Sequence, residues 1–333
     1  MTLTQLRFLV AIADAGLNIT LAAERVHATQ PGLSKQLKQL EDELGFQLFT
    51  RKGKSLETIT HAGGHVLERA RTILAEAANI RSIAANLRNE ARGDLRIATT
   101  HTQARFVLTD AIAALSRIYP QVSVHLQPGR ENDALALLDG GQVDMAIVST
   151  SGTPPPAGIA LPAYRWNRVV LAPDTHALAK LPRELSLDDL AAQPLISYDS
   201  SQKPESSLRR AFDAAGLLPQ IAITAGDADL IKTYVRAGLG IGILAEMALL
   251  PRDTGDLRAL PADHLFARCT TWIVLRRESV LREYVLEFIE RFAPHLDRRD
   301  ITRAMAAGTH IAEGVAVPHW RERQLADDGV AAA

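Results

Sequence analysis

The 333-residue chain carries 37 lysines and arginines against 38 aspartates and glutamates, a net charge of −1, and 47% of its residues are apolar. At roughly 100–200 residues per domain this length fits two or three domains, and the apolar share is ample for packed cores, which excludes a disordered chain. The charge balance excludes a uniformly basic nucleic-acid coat and a polyanionic tail, so any polyanion must meet a local patch. A single cysteine, Cys269, excludes an internal disulfide and a thiolate zinc cluster, and it reads as a buried filler rather than a nucleophile. The 10 histidines show no H-E-x-x-H and no paired spacing suited to zinc, so neither a metal nor a cofactor is expected. No run approaches the ~18 apolar residues of a membrane span and no signal-peptide pattern opens the chain, which predicts a cytoplasmic location away from membranes.

Leu3, Leu6, Leu9, Val10 and Ala13 recur at three- and four-residue spacing and predict an amphipathic helix stopped by Gly16. A second helix fits Ile19–Val26, and a third fits Pro31–Leu44, with Pro31 in its first turn and Gly45 as its stop. Leu33, Leu37, Leu40 and Leu44 form the buried stripe of the third helix, leaving Gly32, Ser34, Lys35, Lys38 and Gln39 on a polar, basic face. Arg51, Lys52 and Lys54 follow in a Gly-containing segment that fits a two-stranded wing. Residues 1–58 carry only one excess positive charge, so charge alone equally fits an ordinary three-helix bundle with a solvated face.

Ala22-Ala23, Thr29-Gln30-Pro31-Gly32-Leu33-Ser34 and Leu40 to Arg51 resemble the winged helix-turn-helix of LysR-type transcriptional regulators. A helix bearing Gln30, Ser34, Lys35 and Lys38 suits the major groove of double-stranded DNA, where Gln reads adenine and Lys reads guanine or grips phosphate. Arg51, Lys52 and Lys54 of the wing would bind phosphate and position the domain.

Val66, Ala70, Ile73, Ala77, Ile80, Ala84 and Leu87 alternate in steps of four and three, a heptad pattern that fits either a coiled-coil dimer seam or a helix packed on its own chain. Thr60 is the expected N-cap, and the helix is expected to stop near Gly93. LysR-type regulators use this segment as a dimerising linker. A dimer would place two recognition helices about one DNA turn apart on a near-palindromic site.

Beyond Gly93, short apolar runs (95–99, 122–126, 145–148, 169–172, 195–197, 221–224, 241–244 and 272–275) alternate with helical stretches at 103–118, 132–138, 204–214, 228–237 and 281–292. This alternation predicts an α/β architecture with mostly parallel sheets, and Thr153-Pro154-Pro155-Pro156 reads as a loop. The LysR resemblance implies a two-lobed, periplasmic-binding-protein-like effector domain: lobe I 93–162 and 268–297, lobe II 163–267, with a C-terminal tail 298–333. The whole is then a winged helix-turn-helix (1–58), a linker helix (59–92) and an effector domain (93–297). After Asp297 regular patterning fades; a last short helix fits 301–307 and 324–333 reads as frayed.

The first strand of the effector domain runs into Thr99-Thr100-His101-Thr102-Gln103, where hydroxyls, an amide and free backbone N–H groups fit either a small-anion site or a plain helix cap. Ser149-Thr150, at the end of another strand, would donate from beside it. The stretch 98–106 resembles the CysB-like branch of the LysR regulators, which governs sulfur assimilation and cysteine synthesis. Tyr164-Arg165-Trp166-Asn167-Arg168, residues 227–236 and residues 288–296 extend that similarity to about residue 297. The branch resemblance implies that Thr100, Thr102, Gln103 and Ser149 contact a sulfate-like anion or acetylserine between the lobes, Ser149 standing where threonine is usual. The branch's threonine in lobe II is absent from 198–206. Ser201, Gln202 or Lys203 replaces it, or the loop faces solvent. A sulfonate, a carboxylate or another metabolite is therefore an alternative effector. Trp166 either shapes the cleft or packs.

Gly238-Leu239-Gly240-Ile241-Gly242 follows a helix and enters a strand, the wrong order for a phosphate loop, and reads as a tight connection. The resemblance further implies an activator assembled as a dimer of dimers that bends DNA and contacts RNA polymerase. A transport protein is disfavoured by the helix-turn-helix. An enzyme using Thr100, His101 or Cys269 is disfavoured because no nucleophile, base and orienting acid can be assembled from their spacing.

Overall fold

The structure is a computed structural model that describes residues 1–53, 55–311 and 315–322, and it divides into two compact units, Met1–Asn89 and Glu90–Ala333. In the first unit, helices α1 (Leu3–Asp14), α2 (Ile19–Arg25) and α3 (Gln30–Leu44) precede strands β1 (Phe49–Lys52) and β2 (Ser55–Ile59) and the long helix α4 (His61–Leu87). Each helix starts on a side-chain cap that satisfies an otherwise orphaned N–H. Thr2 and Gln5 form a capping box on α1, Asn18 caps α2, Thr29 caps α3 and Thr60 caps α4. Leu6, Leu9, Ile12, Leu33, Leu37, Leu40, Leu48 and Phe49 fill the shared core.

The side of the wing nearest α3 is set by a buried carboxylate. Glu41 accepts from the Leu48 and Phe49 amides at 2.9 and 3.4 Å and pairs with Arg51 at 3.1 Å. The two wing strands pair antiparallel, with the Thr50 and Thr58 hydroxyls 2.8 Å apart across them. Asp14 and Arg71 form an ion pair between α1 and α4.

In the second unit the chain runs β3 (Arg92–Thr99), α5 (His101–Phe106), α6 (Leu108–Ile118), β4 (Gln121–Pro128), α7 (Glu131–Asp139), β5 (Met145–Thr150) and β6 (Ile159–Trp166). It continues through β7 (Arg168–Pro173), α8 (Leu187–Ala191), β8 (Leu195–Tyr198), α9 (Ser207–Ala214), β9 (Ile221–Ala225), α10 (Ala228–Arg236), β10 (Ile241–Ala245) and β11 (Leu257–Pro261). The return strand β12 (Cys269–Leu275) leads to α11 (Glu283–Phe292) and α12 (Arg298–Ala307). Among the described residues these strands form two sheets, ordered β4-β3-β5-β12-β6 and β11-β7-β10-β8-β9, each the floor of one lobe.

Several sequence expectations are corrected. The sheets are not mostly parallel: β12 runs antiparallel to β5 and β6, and β7 antiparallel to β10 and β11, because the strands at the crossings enter each sheet from the opposite end. The crossing falls at Asn167 rather than near 163, since β6 stays in the first sheet through Trp166. Strands β6 and β11 were not predicted. The stretch expected as one helix over 103–118 is two, broken at Val107. The linker helix ends at Leu87, and Gly93 already belongs to β3.

The short helix expected over 301–307 is present as α12 and packs on the first lobe; beyond it, Ile311 and Trp320 are buried in that lobe's core, which the fading pattern after Asp297 did not imply. The frayed stretch expected over 324–333 lies outside the described residues, as does Lys54. His61 and His65 do form an i, i+4 pair, with their Nε2 atoms 3.3 Å apart, because the helix begins at His61 and so puts both rings on one face. Among the described residues no group of three or more His, Cys, Asp or Glu could hold a metal ion.

Gly63 lets α4 approach the wing: a Cβ there would lie 2.0 Å from the Leu48 carbonyl oxygen, a backbone atom that cannot step aside. Gly63→Ala is expected to destabilise the first unit by about 1–3 kcal/mol, as overpacking does. Urea denaturation followed by circular dichroism checks this; an unchanged midpoint would show that the wing does not need the close approach.

Candidate functional site

On α3, Gln30, Lys35 and Lys38 are exposed and Ser34 is half-buried, while Leu33, Leu37 and Leu40 face the core. The helix therefore presents one polar, basic face of the kind that enters a major groove. Arg51 and Lys52 are exposed on the wing, and Glu41 fixes the direction of the Arg51 guanidinium. The sequence did not reveal Glu41's role, because its partners are backbone amides of the next segment.

The heptad stripe on α4 splits into two surfaces. Ala70 is buried in the core of its own unit and Val66 packs against it, which corrects their assignment to a dimer seam. A stripe of apolar residues specifies a buried face but not which partner buries it. Farther along, Ile73, Ile80 and Leu87 are exposed, as is Ile83, which the heptad reading left out; Ala77 and Ala84 are half-buried.

Between the two sheets of the second unit, Thr100, Thr102, Gln103 and Ser149 lie at the ends of β3 and β5 and in the first turn of α5. Thr100 caps α5, its hydroxyl oxygen accepting from the Gln103 amide at 3.4 Å. The buried Gln103 side chain donates to the Thr271 and Ser149 hydroxyls at 3.2 and 3.4 Å, and its carbonyl oxygen accepts from the Tyr164 hydroxyl. Ser149 and Thr271 lie 2.9 Å apart, and the Trp166 indole donates to Ser149 at 3.3 Å while the rest of that ring packs in the core. Thr102 donates across the cleft to the Tyr198 hydroxyl at 3.4 Å. That oxygen also accepts from the Ala245 amide at 3.3 Å, which leaves its own hydrogen to point elsewhere.

The second lobe brings a full positive charge. Arg168 is buried, donating to Ser207 at 2.7 Å and to Ser201 at 3.2 Å, and among the described residues no carboxylate pairs with it. Ser201 is itself fully buried and 2.8 Å from Ser197, so it meets the cleft through Arg168. Gln202 is exposed, and the half-buried Lys203 reaches Asn132 of the other lobe at 3.4 Å. Burial pushes the Glu131 carboxyl above the usual carboxylate range, against the opposing pull of Lys203, Arg168 and the Ser149 amide. Burial likewise raises the Cys269 thiol, 3.6 Å from the Ser207 hydroxyl, which makes it a poor nucleophile.

Arg168, Thr271, Tyr198, Tyr164 and Glu131 were not among the predicted contacts. For Arg168 and Tyr164 the available signal was their place in the stretch 164–168. For Thr271 there was none, because cross-strand pairing with Ser149 is visible only in the sheet.

A helix-turn-helix with a basic recognition face, joined to a two-lobed module whose cleft gathers hydroxyl, amide and guanidinium donors, defines a ligand-responsive DNA-binding regulator. The chain belongs to the LysR family: residues 3–64 match the bacterial regulatory helix-turn-helix protein, lysR family, and residues 88–297 match the LysR substrate binding domain. It is 42% identical to the HTH-type transcriptional regulator CysB of Haemophilus influenzae, covering 91% of this chain and 94% of that one. It is 39% identical to the regulator SsuR of Burkholderia cenocepacia, over 90% and 97% of the two chains. The crystal structure of the cofactor-binding domain of the Cbl transcriptional regulator matches with a TM-score of 0.60 at 37% identity, covering 65% of this chain and 94% of that one. Members of this family are transcriptional regulators, not enzymes. Among the described residues no helix is long and apolar enough to cross a membrane.

Because its native value is raised, the ionised Glu131 carboxyl costs the folded state stability above the unfolded value of about 4.3. Glu131→Gln is expected to raise the melting temperature at neutral pH. The advantage should vanish as pH falls below the unfolded value, where both proteins are neutral at this position; a gap independent of pH would place its origin elsewhere.

Proposed function

We propose that the chain regulates genes of sulfur assimilation and cysteine synthesis, and that its effector is a small sulfur-related anion or an acetylserine-like molecule held between the lobes. The observation that carries this reading is Arg168, a buried guanidinium that donates to Ser201 and Ser207 and, among the described residues, pairs with no carboxylate, in the same lobed unit as the hydroxyl and amide groups of Thr102, Gln103 and Ser149. Without a direct ion pair the Arg168 charge is answered only at longer range by Glu131, whose own ionisation burial disfavours, and an anion between the lobes relieves the remaining cost. Similarity to regulators named CysB and SsuR supports the sulfur context.

In this reading residues 1–58 read DNA, 59–92 join two copies, and 93–297 sense the effector. Gln30, Ser34, Lys35 and Lys38 contact bases and phosphates; Arg51 and Lys52 position the wing. Ile73, Ala77, Ile80, Ala84 and Leu87 form the seam, Val66 and Ala70 having been taken by their own unit. Thr100, Thr102, Gln103 and Ser149 with Arg168 bind the effector, and Ser201 acts by holding Arg168. An effector that prefers one interlobe angle shifts a dimer of dimers between arrangements with different spacing of the recognition helices. The protein acts in the cytoplasm as an activator that contacts RNA polymerase. A second reading, a LysR regulator of a sulfonate, carboxylate or other metabolite, is favoured by the 198–206 loop, where Gln202 and Lys203 offer an amide and a charge beside the cleft.

A thermal-shift series with sulfate, thiosulfate, sulfite, organosulfonates, O-acetylserine, N-acetylserine and unrelated carboxylates separates the two. A ligand at a hundred times its Kd stabilises the native state by about 2.7 kcal/mol. The expected result is a selective rise with a sulfur anion or an acetylserine that is lost in Arg168→Met. A response confined to carboxylates or sulfonates would move the protein to the second reading.

Substitutions on the two surfaces should part company. Gln30→Ala or Ser34→Ala is expected to cost about 1–3 kcal/mol of specific DNA binding per lost base contact, with the ligand response intact. Thr100→Ala with Thr102→Ala is expected to do the reverse. Gel-shift and thermal-shift assays on the same preparations check this, and joint loss of both activities in either variant would sink the division of labour.

A further inference from the structure

Two short stretches beyond α12 lie beside β6, the edge strand of the first lobe: His310 accepts from the Ala160 amide at 2.9 Å, the Ile311 amide donates to the Ala160 carbonyl at 3.1 Å, and the Arg165 amide donates to the Pro318 carbonyl at 2.9 Å. His319 bridges in parallel to Arg165. These residues lie beyond the part of the chain that matches the substrate binding domain, which ends at 297.

Two connections lead from the second stretch to the cleft. The first passes through Trp320, which is buried with its ring 5.3 Å from that of Tyr164; Tyr164 is fully buried, and its hydroxyl donates to the Gln103 side chain. The second passes through Glu246 at the end of β10. Its carboxylate accepts from the Asn167 amide at 2.7 Å, and it is also held by His319 at 3.1 Å and Arg321 at 3.0 Å. The Glu246 amide donates back to the Asn167 carbonyl at 3.1 Å. Asn167 is the residue at which the chain passes from one sheet to the other, so the same carboxylate joins the tail, the crossing and the second lobe.

We propose that Pro318–Arg321 is a strap that positions the effector site from behind: Trp320 seats Tyr164 and through it the Gln103 amide, while His319 and Arg321 fix the crossing at Asn167 through Glu246. These are positioning residues, and effector affinity depends on them although they do not touch the ligand. The inference rests on the cleft being the effector site.

Full-length Trp320→Ala and Trp320→Phe proteins test it by two measurements, one of which needs no ligand. In hydrogen exchange, Trp320→Ala is expected to speed exchange selectively at 104–107 and at the Asn167 amide, with the first-lobe core helix 283–292 unchanged. In calorimetric titration with thiosulfate, after the wild-type protein has been shown to bind it, Trp320→Ala is expected to weaken binding by about tenfold or more and Trp320→Phe by less than about threefold. Exchange that rises evenly through the first lobe, or that does not change, would overturn the strap, as would equal affinity in all three proteins. If thiosulfate does not bind the wild-type protein, only thiosulfate is removed from the candidate effectors, and the exchange pattern alone decides whether the strap positions Gln103.

Discussion

The second unit is organised by the passage of the chain between its two sheets. Ligand sites in open α/β sheets lie beyond the carboxyl ends of parallel strands, and here those ends are Thr99 of β3, Thr150 of β5, Tyr198 of β8 and Ala245 of β10. A strand that enters from the opposite direction brings its amino end to the same place. Strand β7 runs antiparallel to β10 with Arg168 opposite Ala245, and β12 runs antiparallel to β5 with Thr271 opposite Ser149. One topological constraint therefore places both the guanidinium and the extra hydroxyl at the cleft.

The electrostatics follow from that placement. A guanidinium taken from water without a carboxylate partner must be solvated by neutral groups, and Ser201 and Ser207 serve this purpose, with Ser197 in turn supporting Ser201. A direct ion pair would neutralise Arg168 and leave little attraction for an anion. Glu131 balances the site at longer range: its carboxyl feels Lys203 and Arg168, yet burial still raises it, so its own charge is easily given up. Across the cleft, Arg105 pairs with Asp229, Lys232 lies 5.1 Å from the centre of the Phe106 ring, and Ser151 donates to the Glu205 carbonyl at 2.9 Å. The lobes are thus tied at several points around the polar centre, and a change of interlobe angle must exchange these contacts.

What could be read from the sequence was local. The cap at Thr60, the Leu stripe of α3 and the wing depend on residues within a few positions of one another. Thr100, Thr102, Gln103 and Ser149 were singled out through resemblance; the Gln103 side chain bonds Ser149, Thr100 caps the Gln103 amide, and Thr102 bonds Tyr198 instead. Strand β6 was illegible for a physical reason. It is buried at nearly every position and so lacks alternation, and Pro162 argues against a central strand; at the edge, beside the irregular register at Thr271/Trp272, proline is tolerated. Val66 and Ala70 show the complementary limit, because periodicity gives the buried face of a helix but not the identity of its partner.

The tail is a case where low regularity and definite structure coexist. An edge strand exposes unpaired backbone groups, and β6 also borders the crossing to the second sheet. Covering such an edge needs a few backbone hydrogen bonds and one side chain able to anchor the segment, not a repeating apolar pattern. The Arg165 to Pro318 bond, the His310 contact to Ala160 and the buried Trp320 meet that need. Helical and strand periodicities arise when a whole face is buried; a segment held by one aromatic ring and edge hydrogen bonds leaves no such trace. Its signal in the sequence reduces to a lone tryptophan beside a histidine and an arginine, which acquire meaning only once Glu246 and Asn167 are brought beside them.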